Sequence, residues 1–111
     1  MEPTIEKQQD VIIIKPEGEI DTHNCEALKQ TIQNELQKGA KRLLIDMSQV
    51  SYMDSAALGV LVSGFKNARA SRAQFKLANM QPAVAKIFQL TRLSKFFDIH
   101  NSSDEAIASF K

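Results

Sequence analysis

Residues 46–62, DMSQVSYMDSAALGVLV, constrain the fold of this 111-residue chain more than any other stretch, because the chain passes there from an apolar run into helical periodicity. Leu43, Leu44 and Ile45 form a short apolar run that ends at Asp46, as a buried strand does, and Ser48 to Ser51 supply turn-forming hydroxyls. Beyond them Leu58, Leu61, Val62, Phe65 and Ala68 recur at offsets of three, four, seven and ten, which puts them along one face of a helix. Asp54-Ser55 therefore falls at a helix start. A serine in that place can cap unpaired backbone N–H groups, and the same donors, with the helix dipole, favour a phosphate on its hydroxyl.

The rest of the chain alternates in the same way. A weak strand over Thr4 to Lys7, a turn at Gln9-Asp10 and a β-branched run from Val11 to Lys15 predict a hairpin. Asp21, Thr22 and Asn24 offer helix caps, after which Cys25, Leu28, Ile32 and Leu36 form an apolar stripe closed by Gly39. Gln74 to Ala78 predicts a further strand, and Pro82 suits the first turn of a helix carrying Val84, Ile87, Phe88 and Leu90. Leu93 to Ile99 shows no clear period, while Ser102 followed by Glu105 is a capping box opening a short helix with Ile107 and Phe110 inward. With no repeat, low-complexity tract or linker, the expectation is one α/β domain over residues 1–111.

Composition narrows the function classes. At 43% hydrophobic residues the chain can bury one modest core, and a net charge of +1 argues for neither nucleic acid nor an anionic membrane as a partner. The single cysteine, Cys25, excludes an internal disulfide and suits a reducing compartment; the N-terminus lacks signal-peptide character and no apolar run reaches membrane-spanning length. The cytoplasm is the expected location. One cysteine and two distant histidines do not make metal-ligand spacing, and the GxxxxGK[ST], GxGxxG and kinase catalytic-loop motifs are absent, so no cofactor or metal is expected and ATP would be handled by a partner.

The segment from Asp46 to Val62 resembles the signature of bacterial anti-sigma factor antagonists, which are single STAS domains. Asp46, Ser48, Val50, Met53, Asp54, Ser55, Leu58 and Gly59 fit that pattern, and Gly18-Glu19-Ile20-Asp21 matches its strand exit before the first helix. Ala57 departs from it, standing where the family commonly has glycine. The resemblance implies a small mixed β-sheet packed against α-helices on one side. It further implies a non-enzymatic regulator that binds an anti-sigma factor, itself a serine kinase, and is switched off by phosphorylation at Ser55 and restored by a serine phosphatase. A STAS subunit of a stress-sensing or lipid-transport assembly, in which Ser55 is not phosphorylated, is the alternative.

A reading of another class makes Ser55 a hydrolytic nucleophile, with His23 or His100 as base and Asp21, Asp46 or Asp54 orienting it. MDSAALG lacks the glycine two residues before the serine that a nucleophile elbow requires. The helix after Ser55 gives a better lead. With Leu58, Leu61, Val62 and Phe65 inward, helical phase puts Val60, Ser63, Gly64 and Asn67 on the other side beside Gly59, a surface of small residues that a partner could approach closely. The partner surface expected from sequence is thus Asp21, Asp54, Ser55, Ala56, Gly59, Val60, Ser63, Gly64 and Asn67. Lys66, Arg69, Arg72 and Lys76 read as a solvated basic tract.

Overall fold

A computed structural model describes residues 2–110. Strands β1 (Thr4–Gln8) and β2 (Val11–Lys15) form the expected hairpin, turning at Gln9 and Asp10, which both take positive φ, as a two-residue connection between right-twisted strands requires. After β3 (Gly18–Ile20) comes α1 (Cys25–Gln37), ended by Gly39 at φ +96°. Next come β4 (Arg42–Asp46), β5 (Val50–Met53), α2 (Ser55–Ala70), β6 (Gln74–Ala78) and α3 (Pro82–Leu90). A 3-10 turn at Leu93–Lys95, β7 (Asp98–His100) and α4 (Ser103–Ser109) complete the order. Ser102 caps α4 as its sequence predicts, its hydroxyl accepting from the Glu105 N–H at 3.1 Å.

Five strands make a mixed sheet in the order β1-β2-β4-β6-β7, with β1 antiparallel to β2 and the others parallel. Parallel strands need cover on both faces, which is why β2 and β4 read as nearly continuous apolar runs; β6 is interrupted by Lys76, whose buried ammonium reaches Asp98. Ile14, Leu43, Ile45, Phe75 and Leu77 point into the main core beneath α1, α2 and α3. Val11, Ile13, Leu44 and Ala78 point the other way and pack with Ala106 and Ile107 of α4. The helices therefore do not lie on one side only, as the resemblance implied: α4 closes the second face.

β3 and β5 form a separate two-stranded parallel sheet, with Ile20 opposite Met53 and Glu19 opposite Tyr52. The turn expected over Ser48 to Ser51 gives way at Val50 to β5, which the sequence does not signal. Val50 and Met53 are buried while Ser51 and Tyr52 are exposed, a four-residue pattern too short to reveal a strand by alternation. This small sheet positions the site, because β3 leads into α1 and β5 leads into α2. The two junctions emerge side by side, joined by the Asp54 N–H donating to the Ile20 carbonyl at 3.2 Å.

Candidate functional site

Asp54, and not Ser55, is the cap of α2. Its backbone is extended (φ −91°, ψ −177°) and its Oδ1 accepts from the Ala57 N–H at 2.9 Å. Its Oδ2 turns to the neighbouring loop, accepting from the Thr22 N–H at 2.9 Å and the Thr22 hydroxyl at 3.1 Å. The Ala57 N–H foremost, then Thr22 and the Ala56 N–H, hold the Asp54 carboxyl below its ordinary value against the opposing effect of desolvation. Ser55 is thereby left as the first helical residue, exposed, and among the described residues no hydrogen bond engages its hydroxyl.

The loop that meets Asp54 is itself braced. Asp21 Oδ1 accepts from the His23 and Asn24 N–H groups at 2.9 and 3.2 Å, and Asn24 Oδ1 accepts from the Asp21 N–H at 2.9 Å. Asn24 Nδ2 donates to the Glu19 carbonyl at 2.8 Å. Asp21 is half-buried by this work, so it shapes the rim of the site from below, while Thr22, His23 and Glu19 stand exposed beside it. Tyr52, 48% exposed on β5, adds a large side chain one residue before the Met53-Asp54 junction. Sequence reasoning missed Thr22 as a partner of Asp54 and Tyr52 as a surface aromatic; recognising β5 would have found the second.

Neither histidine is arranged as a base for Ser55. His100 Nε2 lies 2.9 Å from Asp98 Oδ1 and 3.4 Å from the Ser109 hydroxyl, on β7. Among the described residues no hydrogen bond joins His23 to Ser55, and Asp46 Oδ1 is occupied by the Ser48 N–H and Asn79 Nδ2 at 3.0 and 3.2 Å. No three His, Cys, Asp or Glu side chains among the described residues gather as a metal site.

Residues 2–106 match the STAS domain family. The chain belongs to that family. It is 34% identical over 100 residues to an anti-sigma-B factor antagonist of Listeria monocytogenes, covering 90% of this chain and 88% of the relative. It is 30% identical over 103 residues to the anti-sigma-B factor antagonist of Bacillus subtilis, covering 93% of this chain and 94% of that one. The crystal structure of an anti-sigma factor antagonist from Mycobacterium paratuberculosis superposes with a TM-score of 0.88 at 26% identity, over 96% of this chain and 91% of its own. This STAS domain is thus of the anti-sigma factor antagonist type, a class of regulators and not of enzymes. None of its helices, among the described residues, is long and apolar enough to cross a membrane.

Within this STAS domain the helix face expected to be outward requires correction. Val60 is only 8% exposed and belongs to the main core, as does Leu61. Gly64 is buried, and a Cβ there would lie 3.2 Å from both Ile32 of α1 and Phe75 of β6. The close backbone approach inferred from Gly64 is therefore real, but the approaching body is α1. Half-buried Ser63 and exposed Asn67 border the same shallow crevice with Lys29 and Gln33. Gly59 differs: it is exposed, with nothing within 4 Å of an added Cβ, and sits one turn beyond Ser55 with half-buried Ala56 alongside. The exposed residues of α2 are Ser55, Gly59, Lys66, Asn67, Arg69 and Ala70, with Asn67 on the crevice side.

Proposed function

We propose that this protein controls a sigma factor by partner switching. Unphosphorylated, it binds an anti-sigma factor that is also an ATP-dependent serine kinase, through the surface around Asp54, Ser55 and Gly59, and the sigma factor is released. The kinase phosphorylates Ser55 and ends the association; a serine phosphatase restores it. Such a role belongs in the cytoplasm.

The observation that carries this reading is the division of labour at the start of α2. Asp54 takes the capping hydrogen bonds, so the Ser55 hydroxyl is exposed and uncommitted, as a protein substrate's must be. The same division supports an electrostatic switch. A phosphate adds about −1.5 to −2 charge, and the donors that would neutralise it at a helix N-terminus are already turned to the Asp54 carboxylate. The new charge stays on the surface beside Asp54. Against one facing carboxylate about 5 Å away, at an effective dielectric near 20, each unit charge costs about 3 kcal/mol, roughly a hundredfold in affinity.

The test is incubation with the anti-sigma kinase of the same organism and ATP, followed by peptide mass spectrometry. One phosphate on Ser55, absent in Ser55→Ala, is expected, with Ser55→Ala still binding the kinase and Ser55→Asp binding it more weakly. Phosphate on Ser51 or Ser63, or equal affinity of the two folded variants, would overturn the reading.

A further inference from the structure

Residues 55–97 contain no Asp or Glu, yet hold seven of the fourteen Lys and Arg; all thirteen carboxylates of the chain lie outside them. This stretch builds α2, β6, α3 and the 3-10 turn; within it Lys76 is buried against Asp98, and the other six cations are exposed. At about 100° per residue, exposed Ser55, Gly59, Lys66 and Arg69 follow one another along one outer stripe of α2, with half-buried Val62 among them. Phe65, half-buried at the border of that stripe, stands roughly 15 Å along the helix from Ser55.

The far end of the stripe is apolar where a surface has no structural need to be. Phe96 is 38% exposed, its ring centroid 4.9 Å from that of Phe65 and 5.0 Å from that of buried Phe97. Held between two rings, it offers apolar area with little rotamer freedom left to lose on binding, the property of an interface anchor. Arg69 lies over Phe65 at 5.8 Å, and exposed Lys66 and Lys95 flank the pair in sequence with no acidic partner among the described residues.

We infer that the Phe65–Phe96 platform is a second docking point for the anti-sigma factor, which meets it with an acidic segment carrying an apolar side chain. The inference rests on the Ser55 reading, since both points lie on one exposed helix stripe and one partner can span them. Charge complementarity selects the partner's chemistry: exposed Lys66, Arg69 and Lys95, which neighbour the two rings in sequence or in space and have no ion pair among the described residues, repel a basic segment and steer an acidic one. A protein segment fits better than a lipid surface, because most of the Phe96 ring is already packed on Phe65 and Phe97 and only 38% of the residue is exposed.

The experiment is calorimetric titration of the full chain with the anti-sigma factor of the same organism, at low and high salt, using wild type, Lys66→Glu/Lys95→Glu, Phe96→Ser and Ser55→Asp. The double charge reversal alters two exposed side chains and should melt like wild type, yet bind about tenfold more weakly at low salt, with the gap narrowing as salt screens it. Phe96→Ser should also bind more weakly; should it unfold, the charge reversal still decides. Unchanged affinity of the folded double variant, with Ser55→Asp weakened, overturns the second docking point and leaves the Ser55 reading standing. Unchanged affinity for all variants overturns both. If the charge reversal abolishes binding to phosphatidylglycerol vesicles while the anti-sigma factor binds as before, the surface faces lipid and the inference fails.

Discussion

Asp54 and Thr22, thirty-two residues apart, are held together by two hydrogen bonds to a single carboxylate oxygen, while the other oxygen of that carboxylate caps α2. One side chain thus fixes both the start of the second helix and the loop before the first.

Replacing Asp54 by alanine should lower the urea midpoint of unfolding, and the loss should depend on pH. The folded carboxyl is held below its ordinary value, so its contribution is complete above the ordinary carboxylate range and disappears as pH falls through the folded value. Melts near neutrality and in acid should show the difference between wild type and Asp54→Ala shrinking on acidification. A difference that does not change with pH would mean the capping charge has no part in it.

Val60→Glu and Leu61→Glu should both destabilise the free domain by about 2 to 4 kcal/mol, because each puts an unpaired carboxylate into the main core. Denaturant melts distinguish this from an outward Val60, which would tolerate the charge.

The two glycines of α2 should respond in opposite directions. Gly59→Ala adds a methyl group into open space within a helix and should stabilise by about 0.5 to 1 kcal/mol. Gly64→Val pushes its side chain into Ile32 and Phe75 and should cost about 1 to 3 kcal/mol. Stabilisation by Gly59→Ala with weakened partner binding would show that the exposed glycine serves contact and not folding.

Asp98→Ala should cost about 1 to 2 kcal/mol. Lys76 is buried with its Nζ 2.6 Å from Asp98 Oδ2, and removing the anion leaves that ammonium without its partner, although half-exposed Asp98 lets water soften the loss. Lys76→Met in the same background should recover much of it; if it does not, the packing of the lysine stem over Phe110 outweighs its charge.

What was legible in the sequence was what neighbouring residues decide among themselves. The hairpin turn at Gln9-Asp10, the stop at Gly39, Pro82 in the first turn of α3 and the Ser102 capping box each specify a backbone conformation locally. The same periodicity that placed Leu58 and Leu61 inward could not show how wide the buried arc of α2 is. That width is set by α1, which covers Val60 and Gly64 from a direction no residue of α2 encodes. The tie from Asp54 to Thr22 and the pairing of β5 with β3 are both contacts made across the chain. The aromatic platform was illegible for a related reason, since Phe96 lies in a stretch without period and meets Phe65 only through the fold.

Closure of the second sheet face by α4 has a consequence for synthesis. β2 and β4 leave the ribosome well before α4 does, so Val11, Ile13 and Leu44 wait in a paired but half-dressed sheet until Ala106 and Ile107 arrive. During that interval the nascent chain presents an apolar strip of the kind that chaperones hold and other nascent chains stick to, which makes the docking of α4 the step that ends this exposure.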